Sequence, residues 1–193
     1  ISNLLPGIEK LIIGGGMAYA FFKAKGLEIG KSLLEEDKVE LAKKLLDDAG
    51  DKILLPVDCV ISDLFDFDNR KVGELKGVDV NSIPPGWLGL DIGEKTIELF
   101  RAVLKNAKTV VWNGPMGVFE IKDTSKGTYA IANVLAEATE NGAVTIIGGG
   151  DSASAVKKAG VSNKVSHVST GGGASLEFLE GKILPGIAAL TDK

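Results

Sequence analysis

Three runs of three consecutive glycines, Gly14-Gly15-Gly16, Gly148-Gly149-Gly150 and Gly171-Gly172-Gly173, each lead into a helical pattern, the first two directly after an apolar stretch and the third after a strand pattern at 165–168. A strand that ends in glycine and turns straight into a helix is the corner of a βαβ unit, so three of them commit the chain to alternating strands and helices. The first two corners share one sequence, Ile-Ile-Gly-Gly-Gly, at residues 12–16 and 146–150. Glycine supplies 25 of 193 residues, nearly twice the usual share of roughly 7%. Because it gathers at strand ends, a linker or a disordered chain does not fit.

Between the corners the periodicity predicts helices over 17–25, 36–49, 95–105, 125–140, 152–159 and 174–180. In the second, Val39, Ala42, Leu45, Leu46 and Ala49 fall on one face and Gly50 is the stop. Strands are predicted at 11–13, 53–55, 60–61, 109–112, 143–147 and 165–168, and residues 63–93, with the turn Pro84-Pro85-Gly86, read as irregular. The strand runs are continuously apolar, as in a sheet covered on both faces. The expected fold is therefore α/β: one domain over 1–193, a three-layer α/β/α arrangement around a mainly parallel, Rossmann-like sheet. In such sheets ligands bind beyond the carboxyl ends of the strands, where the glycine runs fall.

Charge narrows the ligand. The net charge is −4, which offers no global field to nucleic acid or to an anionic membrane. A polyanionic small molecule would need local backbone N–H groups, a lysine or a metal ion. Cys59 is the only cysteine, which excludes an internal disulfide and suits a reducing, cytoplasmic setting. No apolar run approaches the roughly 18 residues of a membrane span, and no basic leader precedes an apolar core at the N-terminus.

A triple glycine lets a ligand approach the backbone and aims helix N-terminal N–H groups at an anion. The alternative, a tight turn, usually needs only one glycine. Gly26-Leu27-Glu28-Ile29-Gly30-Lys31-Ser32 imitates a P-loop but has three residues between its glycines instead of four and follows a helix. Gly148, Gly150 and Ala153 satisfy the dinucleotide pattern G-x-G-x-x-A, which keeps a dinucleotide-binding oxidoreductase domain as the alternative function. Against it, Asp151 would stand among the pyrophosphate oxygens. Asp151 suits Mg²⁺ bound together with phosphates, or an ordinary helix N-cap. The stretch Trp112-Asn113-Gly114-Pro115-Met116-Gly117-Val118-Phe119-Glu120 offers an amide, an apolar surface and a carboxylate from one stiff loop, which suits an adenine slot and a ribose acceptor, or simply a rigid turn. His167 reads as a structural residue within a strand, and Cys59 as a buried, inert thiol.

Taken together, Leu11 to Phe22, Gly30 to Leu46, Trp87 to Gly93, Trp112 to Glu120, Ile147 to Val156 and Ser166 to Gly186 resemble the C-terminal, nucleotide-binding domain of the phosphoglycerate kinase family. The most specific segments are Trp112 to Glu120, Gly148-Gly149-Gly150-Asp151-Ser152 and Ser166 to Ser175. The resemblance implies reversible phosphoryl transfer between 1,3-bisphosphoglycerate and ADP. It implies that Gly15 and Gly16 line the base with Gly93 nearby, that Asn113, Gly114, Met116 and Phe119 complete the adenosine slot, and that Glu120 accepts from the ribose. It further implies that Gly149, Gly150, Asp151 and Ser152 meet the phosphates, with Asp151 on Mg²⁺, and that Gly171, Gly172 and Gly173 face the transferring group. The family also has an N-terminal domain that binds the phosphoglycerate partner, and a strand leading into Gly-Gly-Ala-Lys that lies mid-sheet between the strands resembling 10–14 and 109–113. Neither is in this sequence, so the missing N-terminal part of the same enzyme is the expected partner. The chain alone is expected to bind ADP or ATP at most.

Overall fold

The computed structural model describes residues 1–189 apart from 172, 175, 176 and 178–180. In chain order the elements are β1 (Leu11–Ile12), α1 (Ala18–Ala24), α2 (Val39–Ala49), β2 (Ile53–Leu54), β3 (Asp58–Ser62), β4 (Phe65–Asp66), β5 (Lys71–Val72), β6 (Leu75–Asp79), β7 (Leu88–Ile92), α3 (Glu94–Leu104), β8 (Thr109–Asn113), α4 (Lys126–Glu140), β9 (Val144–Gly148), α5 (Gly150–Lys158), β10 (His167–Ser169) and α6 (Pro185–Ala188). The helices expected from periodicity form within a residue or two of their predicted limits, except that the one expected over 36–49 opens with a 3-10 turn at Glu36–Lys38 before α2 and the one expected over 174–180 lies largely outside the described residues.

Local chemistry sets the helix ends. Helix α2 stops at Gly50, whose φ of 57° belongs to the left-handed region. Helix α3 buries Ile97, Phe100 and Leu104 at helical spacing, and the carboxylate of Asp58 on β3 caps its start by accepting the N–H groups of Lys95 (3.1 Å) and Thr96 (2.8 Å).

The sheet departs from the expectation of one mainly parallel layer. Among the described residues parallel pairing is confined to β1–β2 and to β10–β9–β8, which are separate sheets. Strand β3 lies antiparallel between β6 and β7, and β4–β5 is an antiparallel hairpin. Residues 63–93, expected to be irregular throughout, thus contain the four strands β4 to β7 joined by turns. The reason is tertiary: β6 carries Lys76, Gly77 and Asp79 on exposed positions and has little apolar pattern of its own. It becomes a strand because buried Cys59 and Ile61 fix β3, whose free edge then supplies partners.

Two apolar clusters hold the fold. One gathers α1, α2 and β3 around Phe21, Phe22, Leu45 and Ile61. The other gathers α3, α4, α5, β8 and β9 around Phe100, Leu135, Ile147 and Val156, with Ile12 and Leu54 packed against it. Strands β1 and β2 therefore reach across from the first half of the chain to the core of the second.

Candidate functional site

The parallel strands β8, β9 and β10 share one direction, so their carboxyl ends open onto one rim. Backbone contacts then tie the loops there together. The Gly15 N–H donates to Met116 O at 3.1 Å, joining the turn after β1 to the loop after β8. The Gly114 N–H donates to Ser152 Oγ at 2.7 Å, joining that loop to the start of α5. The Gly149 N–H donates to Ser169 O at 3.0 Å, joining β9 to β10 just before Gly171. The turns at 14–16 and 148–150 and the carboxyl end of β10 are thus tied together along one edge.

At that edge Gly15 has a φ of 60° and packs against the Pro115 carbonyl, while the Leu33 side chain, 69% exposed, lies over Gly16. Asn113 is exposed, and its Oδ1 lies against the backbone of Gly149. Met116 and Phe119 are core residues, 7% and 3% exposed; they fix the loop from beneath, Met116 sulfur against Gly14 and the Phe119 ring under the Lys158 ammonium at 4.8 Å. Glu120 is half-buried.

Gly149 adopts a φ of 89° as the N-cap of α5. The first turn of this helix presents Asp151, which is exposed, and Ser152, which is fully buried. Ser152 thus acts as a strut to Gly114, a role the sequence does not announce. Gly171 and Gly173 are exposed, whereas Gly172 lies outside the described residues.

Gly93 directly follows β7, the strand that the 114–119 loop meets at Leu90 and Asp91. It is the N-cap of α3, its N–H donates to Asp58 O at 3.0 Å, and the Asp58 carboxylate closes on its α-carbon. A cleft of about 470 Å³ opens beside it, and Lys95–Asp79 and Lys126–Glu94 pairs stand along its surface.

Sequence reading missed Leu33, Thr124, Thr128 and Asp91. Leu33 gave one signal, an apolar pair with Leu34 outside any helical face. The two threonines gave none, because their hydroxyls act on backbone atoms of the 114–119 loop. Cys59 is buried, and burial pushes its thiol up to about 12, as an inert thiol requires. His167 opens β10 and is exposed, not enclosed. Among the described residues no cluster of three or more His, Cys, Asp or Glu side chains could hold a metal ion, and no helix is long and apolar enough to cross a membrane.

The sequence model of the phosphoglycerate kinase family matches residues 1–182. The chain is 58% identical over 193 residues to phosphoglycerate kinase of Latilactobacillus sakei subsp. sakei, covering 100% of this chain and 46% of that protein. It is 57% identical over 196 residues to the chloroplastic phosphoglycerate kinase of Volvox carteri, covering 100% of this chain and 42% of that one. Among solved structures, that of phosphoglycerate kinase from Coxiella burnetii superposes with a TM-score of 0.87 at 38% identity, over 94% of this chain and 46% of the other. The enzyme from Pyrococcus horikoshii superposes with a TM-score of 0.82 at 33% identity, over 98% and 47%. The chain spans about half the length of these relatives, and over that span it belongs to the phosphoglycerate kinase family.

Proposed function

We propose that this chain is the nucleotide-binding half of a phosphoglycerate kinase, serving reversible phosphoryl transfer between 1,3-bisphosphoglycerate and ADP to give 3-phosphoglycerate and ATP. The observation that carries the reading is the contact chain Gly15–Met116, Gly114–Ser152 and Gly149–Ser169, which links two glycine turns to the carboxyl end of β10, the strand that leads to the third. A nucleotide laid along it would meet the base-sized apolar shelf of Gly15, Gly16 and Leu33 at one end. Asn113, Gly114 and Glu120 would follow, then the start of α5, then Gly171, Gly172 and Gly173. Phosphoryl transfer asks little covalent work of a protein; it asks for position and for donors aimed at developing charge. Exposed backbone N–H groups at the start of a helix meet that need.

Mg²⁺ fits this arrangement through Asp151. A single exposed carboxylate beside a phosphate-facing helix start suits an ion that typically keeps one or two carboxylates and takes its other ligands from phosphates and water. When bound, the ion would neutralise phosphate charge; the chain's own part is to hold and orient the nucleotide.

The N-terminal part of the same enzyme is the proposed partner, bringing the phosphoglycerate site and a strand between β1 and β8. Support comes from β8, which pairs on one side with β9 while its Val111 is 39% exposed, and from the separation of β1–β2 from β8–β9–β10. Such a strand would merge the two parallel sheets into a single three-layer α/β/α domain. The dinucleotide alternative loses its support, since family membership accounts for the same glycines. A reducing, cytoplasmic setting remains our reading, although the Volvox relative is named chloroplastic.

Calorimetric titration with MgADP tests the assignment. The unaltered chain should bind, and Asp151→Ala should lose the part of the affinity that depends on Mg²⁺, at least tenfold, equivalent to about 1.4 kcal/mol. Equal Mg²⁺ dependence in both chains would remove Asp151 from the metal role. The chain alone should show negligible turnover, and a purified preparation with robust kinase activity would refute the need for the partner.

A further inference from the structure

The 114–119 loop is held from behind by residues that carry no role so far. Thr128 Oγ1 accepts the Met116 N–H at 3.1 Å, Thr124 Oγ1 donates to Val118 O at 2.7 Å, and the Tyr129 hydroxyl donates to Phe119 O at 3.3 Å. All three belong to the first turns of α4 or the residues just before it. The start of α4 is in turn fastened to β7 by one side chain. Asp91 Oδ2 accepts the Gly127 N–H at 2.7 Å, and its Oδ1 accepts the Ile92 N–H at 2.9 Å. The loop touches the same residue: a β-carbon on Gly117 would stand 2.6 Å from Asp91 Cα and 2.5 Å from its Oδ1. Val118 adds an N–H donated to Leu90 O at 2.8 Å.

The Asp91 carboxylate is 4% exposed. Its compensation is two backbone N–H groups and the N-terminus of a long helix. Around it, the Tyr19 phenol of α1 is held neutral because burial raises its pKa. Lys126 of α4 and Glu94 of α3 pair with each other at the surface, and the 114–119 segment contains no titratable side chain. An apolar side chain could have filled the same space at less cost.

We propose that Asp91 is a positioning residue for the nucleotide: it holds the first turn of α4 against β7, and through Thr128 and Gly117 sets where the 114–119 loop presents itself to the adenosine. This rests on the nucleotide-binding reading of that loop. Ionised, Asp91 accepts from both backbone groups. Protonation turns one acceptor into a donor and releases an N–H, so the slot is best formed when the carboxylate is charged. Burial pushes this carboxyl up to about 7, which places the change within reach of experiment.

The test is adenosine binding to the full chain by calorimetry from about pH 5.5 to about pH 8.5. Adenosine carries no group that titrates in this range, and ADP with and without Mg²⁺ is measured beside it. We expect the unaltered chain to gain roughly tenfold in adenosine affinity as the pH rises. Asp91→Asn should keep its circular dichroism spectrum, bind adenosine weakly with a flat profile, and retain the Mg²⁺ enhancement of ADP binding. A flat profile in the unaltered chain overturns the proposal even if the variant fails to fold. So does a slope that persists in Asp91→Asn, or a variant that binds as tightly as the unaltered chain at high pH. If the unaltered chain binds neither adenosine nor ADP, the nucleotide reading itself falls and takes this proposal with it; a chain that binds both without any pH response leaves that reading standing and sinks only the role of Asp91.

Discussion

Gly15→Ala is the change that most directly tests how the rim is built. Gly15 has a φ of 60°, and a β-carbon there would stand 2.6 Å from the Pro115 carbonyl oxygen. Holding an L-residue in the left-handed region costs about 1–2 kcal/mol. The collision cannot be relieved by a rotamer, because its partner is backbone, so the two loops must part and weaken the Gly15 N–H to Met116 O bond of 3.1 Å, worth about 1 kcal/mol. The sum is a loss of about 2–3 kcal/mol. Gly26→Ala is the internal control, since Gly26 has a φ of 77° and open space around it and should show the conformational cost alone. Urea unfolding of both variants reads the difference as a shift of midpoint at constant slope. MgADP affinity should fall at least tenfold in Gly15→Ala, the equivalent of about 1.4 kcal/mol, and hold steady in Gly26→Ala. If the two variants unfold at the same urea concentration, the collision argument is wrong. If Gly15→Ala is destabilised yet binds nucleotide normally, the turn after β1 is no part of the slot.

Ser152→Ala removes the acceptor of the Gly114 N–H and should cost about 1–3 kcal/mol in urea unfolding; a loss below about half a kcal/mol would show that the strut is replaceable. Asp58→Ala strips two donors of α3, the Lys95 and Thr96 N–H groups, of their side-chain acceptor, and should cost about 2 kcal/mol by the same measurement; an unchanged midpoint would contradict the capping role. Asp91 has a folded pKa of about 7, above its ordinary unfolded value, so the folded chain keeps a proton that the unfolded chain releases. Its stabilising contribution is complete below the ordinary carboxylate range and is lost as the pH rises through about 7. The urea midpoint of the unaltered chain should therefore drop more between about pH 6 and about pH 8 than that of Asp91→Asn, and equal drops would refute the burial argument.

The corners of this fold were legible because glycine and apolar runs are local signals. Ile12-Ile13 and Ile146-Ile147 lead into glycine in the sequence as in the structure, and α2, α3 and α4 announce themselves by spaced Leu, Ile and Phe. The antiparallel β6–β3–β7 sheet was illegible because Leu75–Asp79 is a strand only in the presence of β3. The site divides in the same way. Residues that would offer backbone to a ligand are glycines and can be read from motifs. Residues that hold those glycines in place, Thr124, Thr128, Ser152 and Asp91, act through side-chain-to-backbone bonds across 6 to 38 positions in sequence, and no local pattern encodes such a bond.

The proposed slot lies along the seam between the two apolar cores. Ile13 belongs to the cluster of α1 and α2, whereas Ile12, one residue earlier, packs against the cluster of α3 to α5. The contacts that cross the seam at the rim are the Gly15–Met116 bond, the packing of Gly14 on the Met116 sulfur, and the meeting of Gly117 and Val118 with Leu90 and Asp91. A ligand spanning Gly15, Gly16 and the 114–119 loop would touch both halves at once and add to these few links. Beneath the rim the side chains of Ile12 and Leu54 reach from β1 and β2 into the second core, whereas at the rim itself the links are backbone hydrogen bonds and glycine contacts. A nucleotide bound there would then stabilise the pairing of the two halves by its own binding free energy, which ties occupancy of the slot to the integrity of the whole chain.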